Sequence, residues 1–255
     1  MKFIKKVIKT LLKIFGLNIT KIKKFSDEFP VVEAQREVIN MILSAKKFSM
    51  TGELRMYAMA QAVEHVFNKN LSGDFVECGV WRGGNLILLN ELNNFYSLNR
   101  KIIGYDTFDG MTKPNELDID YKNNKANVLL NKNEKTSKTE NIWCYANLEQ
   151  VSKNISDHTN IDQIELIKGS VEKTLLDKKN LPERISILRL DTDFYESTKI
   201  ELEILYPLLI PGGILIIDDY GHWKGARKAV DEYFKENKHW MHYIDHSCRL
   251  IIKEK

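Results

Sequence analysis

The 255-residue chain is 43% hydrophobic and 29% charged, the balance of an ordinary globular protein with a core to bury rather than of a disordered or fibrous one. A net charge of +3 announces no nucleic-acid partner. Three widely spaced cysteines, Cys78, Cys144 and Cys248, exclude a disulfide framework and a clustered zinc site, and fit a reducing, cytoplasmic compartment.

The charge is unevenly placed. Residues 1–24 hold eight lysines and no acid, so the remainder is mildly acidic. Phe3, Ile4, Val7, Ile8, Leu11, Leu12 and Phe15 follow helical spacing with lysines between them, which predicts a basic amphipathic helix stopping near Gly16. Lysines interrupt every apolar run, so neither a secretory signal nor a membrane span fits. Such a helix either docks on protein, its own domain or a second copy, or lies through residues 1–16 on the anionic inner face of a membrane. The docked reading is favoured.

Residues 25–70 read as a helical segment, with apolar periodicity through Val38, Ile39 and Ile42 and then Met56, Met59, Val63 and Val66. From residue 71 to 255, short apolar runs alternate with helical patterns. Strands are predicted over 74–80, 101–105, 164–167, 185–190 and 213–217, and helices over 86–95, 147–155, 197–205 and 224–234. A closing hairpin is predicted from 242–245 and 249–253. This alternation predicts an α/β fold, a mostly parallel sheet with helices on both faces and an antiparallel strand near one edge. Residues 111–141 are polar, contain Pro114 and carry little periodicity. They follow a strand end, where open α/β sheets bind ligands, so they form either a lid or a disordered insertion. A lid that orders on binding is favoured. No internal repeat or domain linker is evident.

Two strand ends carry a cofactor signal. Glu77-Cys78-Gly79-Val80-Trp81-Arg82-Gly83-Gly84-Asn85 joins a strand to a helix through glycines that allow a tight turn and close backbone approach. The spacing is neither that of a dinucleotide fingerprint nor that of a phosphate loop. An acid before such a turn suits a ligand with an amino acid portion, its ammonium drawn to Glu77. The next strand ends in Asp106, placed to accept both hydroxyls of a ribose. A plainer reading of each is a glycine turn or a helix cap. Together, in this order, they favour a nucleoside cofactor.

A second signal is acidic. Leu190-Asp191-Thr192-Asp193-Phe194-Tyr195-Glu196-Ser197-Thr198 follows one apolar strand, and Asp218-Asp219-Tyr220 ends the next. Neighbouring parallel strands would gather four carboxylates at one sheet edge, where they repel unless a cation or protons compensate. Oxygen-only donors favour Mg²⁺ or Mn²⁺ over zinc. Helix capping by Asp193 and Asp219 is the plainer alternative. His222 and Tyr195, beside these acids, are candidate substrate contacts, and Arg189 is expected to pair with a buried acid.

Glu77–Asn85, Asp106–Gly110, Gly169-Ser170-x-x-x-Thr174-Leu175, Leu190–Thr198 and Pro211-Gly212-Gly213 leading to Asp218-Asp219-Tyr220 together resemble the macrocin and mycinamicin sugar O-methyltransferase family, over roughly residues 45–252. Its members methylate sugars on macrolide and aminocoumarin antibiotics. The resemblance implies the Rossmann-like class I methyltransferase fold, a seven-stranded sheet of order 3-2-1-4-5-7-6 with the last strand antiparallel. It implies that Asp191, Asp218 and Asp219 bind the metal, that Asp193 is the general base, and that Ser49, Met50, Glu77, Gly79, Trp81, Arg82, Gly83, Asp106 and Ser170 surround S-adenosylmethionine. The expected reaction is Mg²⁺-dependent methylation of a sugar hydroxyl, in natural-product or surface-polysaccharide biosynthesis, the sugar nucleotide-, lipid- or glycan-linked. Three alternatives stand beside it. Asp191-x-Asp193 also fits a metal-dependent glycosyltransferase, catechol-type methyltransferases share fold and metal, and a membrane-attached scaffold would bind no metal.

Overall fold

A computed structural model of the chain describes residues 29–236 and 239–254. The predicted N-terminal helix lies outside the described residues. All elements below belong to one compact unit, Glu33–Lys255.

Among the described residues two α-helices precede the sheet, α1 (Arg36–Ala45) and α2 (Glu53–Asn68). Then follow β1 (Asp74–Cys78), α3 (Gly84–Phe95), β2 (Ile102–Asp106), α4 (Ala126–Lys132), α5 (Leu148–Ser156), β3 (Ile164–Lys168) and the single turn α6 (Val171–Thr174). The chain continues through β4 (Ile185–Leu190), α7 (Tyr195–Leu205), β5 (Leu209–Ile217), α8 (Lys224–Tyr233), β6 (His242–Tyr243) and β7 (Arg249–Ile252). The sheet runs β3-β2-β1-β4-β5-β7-β6. Its strands are parallel except β7, which pairs antiparallel with β5 and β6. This is the expected strand order and the class I methyltransferase fold.

The central strands are mostly apolar because both faces are covered, with Glu77 of β1 and Arg189 of β4 the buried charged exceptions. Alternation sends Val76, Cys78, Leu188, Leu190, Leu215 and Ile217 to one face, where they pack with Leu202 and Leu205 of α7 and Val230 of α8. The opposite parity carries Phe75, Glu77, Ile187, Arg189, Ile214 and Ile216. On that side α2 packs on β4 and β5, and α3 lies against α1 and α2.

The 111–141 stretch is built rather than featureless. Its short helix α4 buries Ala126 and Leu130 against Phe194, Trp223 and Ala226. Asp118, 2% exposed, accepts the N–H groups of Asn115 (2.7 Å) and Tyr195 (2.8 Å), tying the insertion to the start of α7. Seven residues span too few turns to show helical periodicity in sequence, and this hid α4.

Candidate active site

Strand order reverses beside β1, with β2 on one side and β4 on the other, so the loops leaving the carboxyl ends of β1 and β4 diverge and open a crevice. A cavity of about 420 Å³ lies there. Its walls come from four sources, one of them the 111–141 insertion, which contributes Met111, Thr112, Leu129 and Asn141. Ser49, Met50 and Thr51 descend from the segment before α2, Gly79, Val80, Trp81 and Asp106 from the β1 and β2 ends, and Asp191, Asp193, Asp218 and Asp219 from the β4 and β5 ends.

The glycine turn after β1, the expected cofactor turn, is shaped by backbone geometry. Gly79 has φ +87°, and a Cβ there would lie 1.9 Å from the Asp191 carbonyl oxygen. Only glycine lets the β1 turn pass the β4 turn this closely. Asp106 Oδ2 accepts the N–H groups of Val80 (2.7 Å) and Trp81 (3.0 Å), and Oδ1 accepts that of Phe108 (2.7 Å). Burial raises its pKa against these donors. Asp106 therefore braces the turn as well as facing the cavity.

Other expected cofactor residues stand back from the cavity. Glu77 is fully buried and bonds Arg189 at 2.7 Å. Burial pushes its carboxyl up to about 7 even so. Arg82 stacks on the Trp81 ring at 4.4 Å and donates to the carbonyl of Ser137, clasping the insertion. Gly83 precedes α3 at φ +92°, and Ser170 precedes α6 while its neighbours Gly169 and Val171 line the cavity. Tyr195 turns away to bond Glu232 at 2.7 Å. His222 lines the cavity and packs edge-on to Tyr121, 5.1 Å between centroids, and burial lowers its pKa.

The acids converge. Ligating oxygens of Asp191, Asp218 and Asp219 lie within 4.8 Å of one another. Asp193 follows at φ +69°, a left-handed conformation that costs a β-carbon about 1–2 kcal/mol and is typical of functional turns. Its N–H donates to Asp219 Oδ2 at 3.1 Å. Neither Asp193 nor Asp219 caps a helix, since α7 and α8 begin at Phe194 and Trp223 without a side-chain cap. Burial, reinforced by Asp191, pushes Asp193 up to about 7. Desolvation and mutual repulsion lift Asp191 and Asp219 well above the carboxylate range, with Arg189 opposing at Asp191.

Two arginines balance part of this charge. Arg189 reaches Glu77, Asp191 and Asp218. Arg55 of α2 bonds Asp218 and, at 2.7 Å, Asp245. Six carboxyls, those of Glu77, Asp191, Asp193, Asp218, Asp219 and Asp245, thus gather around two guanidiniums. The three-aspartate set, all oxygen and under-compensated, fits a hard divalent cation. Sequence reading missed Arg55, Thr51 and Cys144 as cavity residues. Arg55 sits in an ordinary helical pattern, and nothing local signals its acids far along the chain.

Comparison with known proteins gives the family. The Macrocin-O-methyltransferase (TylF) family model matches residues 8–251. Demethyldecarbamoylnovobiocin O-methyltransferase of Streptomyces niveus is 32% identical over 192 residues, covering 74% of this chain and 68% of that protein. Mycinamicin III 3''-O-methyltransferase of Micromonospora griseorubida is 32% identical over 188 residues, covering 72% and 69%. The solved structure of the O-methyltransferase NovP superposes with a TM-score of 0.71 at 29% identity, covering 82% of this chain and 83% of that one. With its fold, its cofactor turn and its aspartates in one crevice, the chain belongs to the macrocin-O-methyltransferase family and is an S-adenosylmethionine-dependent O-methyltransferase.

Proposed function

We propose that the enzyme methylates a sugar hydroxyl, with a divalent cation, Mg²⁺ or Mn²⁺, held by Asp191, Asp218 and Asp219, and with Asp193 as general base. The observation that carries this is the position of Asp193, which lines the cavity beside the three-aspartate set, its N–H bonded to Asp219 and its carboxyl lifted to about 7. A carboxyl tuned toward neutral pH is a better proton acceptor for a weakly acidic alcohol than an ordinary one. When bound, the cation supplies Lewis acidity that makes an acceptor hydroxyl easier to deprotonate.

The chain's own residues do the rest. Asp106 is placed to accept ribose hydroxyls, the Gly79 turn lets backbone approach the amino acid portion, and Ser49 and Met50 close the wall above it. Alignment of nucleophile and methyl group is the larger source of rate in such a transfer. A sugar acceptor is supported by a further relative, 33% identical over 192 residues, the 8-demethyl-8-(2,3-dimethoxy-alpha-L-rhamnosyl)-tetracenomycin-C 4'-O-methyltransferase of Streptomyces olivaceus, and family membership disfavours the glycosyltransferase and scaffold alternatives. Among the described residues no helix is long and apolar enough to cross a membrane. A lipid-linked acceptor reached through residues 1–16 rests on sequence alone. Loss of liposome binding on deleting that segment would support it, and unchanged binding would remove it.

Calorimetric titration with S-adenosylhomocysteine, with and without Mg²⁺, tests the site. Micromolar binding that strengthens with Mg²⁺ supports it. Binding indifferent to Mg²⁺ would remove the metal, and absence of binding would remove the cofactor assignment.

A further inference from the structure

Arg189 is 1% exposed and does not line the cavity, so it touches neither substrate nor cofactor. Yet it meets both halves of the site. Register explains how. Glu77 of β1 lies directly beside Arg189 of β4, and Ile216 of β5 lies on its other side. Two residues farther on, with the same parity, come Asp191 and Asp218. One guanidinium therefore sits where three acids from three strands point. Nη1 is 2.7 Å from Glu77 Oε1 and 2.7 Å from Asp191 Oδ2. Nη2 is 2.6 Å from Asp218 Oδ1 and 3.0 Å from Thr51 Oγ1. Thr51 in turn accepts from Asn85 at the start of α3 (3.2 Å). The chain of contacts thus runs from the cofactor turn, through Thr51 and Arg189, to two of the three candidate metal ligands.

Nothing smaller spans this. A lysine offers one point charge on a flexible stem, whereas the planar fork presents donors in fixed directions to several carboxylates at once. Arg189, ahead of Asn85, is the main compensation for the fully buried Glu77.

We infer that Arg189 is a positioning residue that fixes Asp191 and Asp218 relative to the cofactor strand and thereby couples divalent-cation binding to cofactor binding. This rests on the cation site proposed above. Coupling of this kind is reciprocal, so the cation strengthens cofactor binding by the factor with which the cofactor strengthens cation binding.

Arg189→Lys separates charge from geometry, because it keeps the cation and removes the fork. The readouts are calorimetric titrations of the full-length protein with Mn²⁺ alone, with S-adenosylhomocysteine alone, and with each in the presence of the other. The expected result is about tenfold weaker Mn²⁺ binding, the usual scale for residues that orient metal ligands, with the mutual enhancement reduced toward unity. S-adenosylhomocysteine binding in the absence of metal should change far less. Mn²⁺ affinity and enhancement both equal to those of the unaltered protein would overturn the inference. Should Arg189→Lys not fold, Thr51→Val removes one acceptor from the fork with nearly the same shape, and a smaller loss of enhancement is expected. Unchanged enhancement there would overturn it equally. Absence of Mn²⁺ binding to the unaltered protein would instead remove the cation site itself, a separable failure.

Discussion

Gly79→Ala is the sharpest single test of how the two halves of the site depend on each other. The added Cβ would sit 1.9 Å from the Asp191 carbonyl oxygen and 2.7 Å from its carbonyl carbon, at φ +87°. Both obstructing atoms are backbone, so no rotamer change relieves the overlap. The β4 turn would have to retreat by roughly an ångström, against a packed interior that resists such shifts. The retreat strains the bond from Asp191 N–H to Cys78 O, 2.9 Å long and worth about 1 kcal/mol. The left-handed backbone adds about 1–2 kcal/mol. A destabilisation of about 2–3 kcal/mol follows, or roughly 4–12 °C in Tm for a domain of this size. Because Asp191 belongs to the acid cluster and Gly79 to the cofactor turn, binding of S-adenosylhomocysteine and of Mg²⁺ should weaken together. Gly52→Ala is the control, since nothing lies within 4 Å of its would-be Cβ and it should melt as the unaltered protein does. Scanning calorimetry and titration of both variants decide it. A Gly79→Ala protein with unaltered Tm and unaltered affinity for both ligands would refute the close approach of the two turns.

Asp193→Asn should lower turnover by a factor on the order of 10² to 10⁴, the usual contribution of a general base, while S-adenosylhomocysteine still binds. Turnover within a few-fold of normal would assign the base elsewhere. Glu201 is fully buried behind the aspartate loop, where its carboxylate accepts from Thr192 at 2.9 Å. Burial lifts its pKa well above the ordinary glutamate value, so the folded state holds a proton that the unfolded chain has already released. Its contribution to stability is complete below about pH 4.3 and falls by up to about 1.4 kcal/mol per pH unit as pH rises toward the folded value. Glu201→Gln should remove that decline, so urea melts of the two proteins should diverge between pH 5 and pH 8 in favour of the variant, and parallel curves would contradict this. Trp223→Ala should cost about 3–5 kcal/mol, because Trp223 is 4% exposed, stacks edge-on to Phe194 at 5.5 Å and roofs α4. Limited proteolysis should then cut within 111–141, and a protected insertion would show that other contacts hold it.

Legibility in the sequence follows the range of the interaction. Strands β1, β2 and β4 were visible because burial on both faces leaves mostly apolar runs, β7 was visible as a short apolar run although it is only partly buried, and the glycine and aspartate clusters stood out because few folds need them at strand ends. β5 was expected from Gly213 yet begins at Leu209. Pro211-Gly212-Gly213 reads as a strand breaker, but the register shift between β4 and β5 absorbs the irregularity before the regular pairing from Ile214. Strand order came only with the family resemblance, since periodicity says nothing of neighbours. Arg55 was invisible because its partner acids lie 163 and 190 residues away.

Side-chain parity decided what spacing could not. Glu77, at a strand end before a glycine turn, looked like a ligand for an ammonium group. It shares a face with Arg189, and the pairing of β1 with β4 places them side by side. The same arginine was read as a partner for a buried acid, and it meets three. These two facts belong together. A carboxylate fully removed from water is tolerated only with a cation beside it, and that cation, once inside, lies within reach of every acid of like parity on the adjoining strands. The cofactor half and the acidic half of the crevice are therefore joined by one buried ion cluster whose position the strand register dictates. The two arginines thereby offset part, not all, of the charge the clustered carboxylates bring.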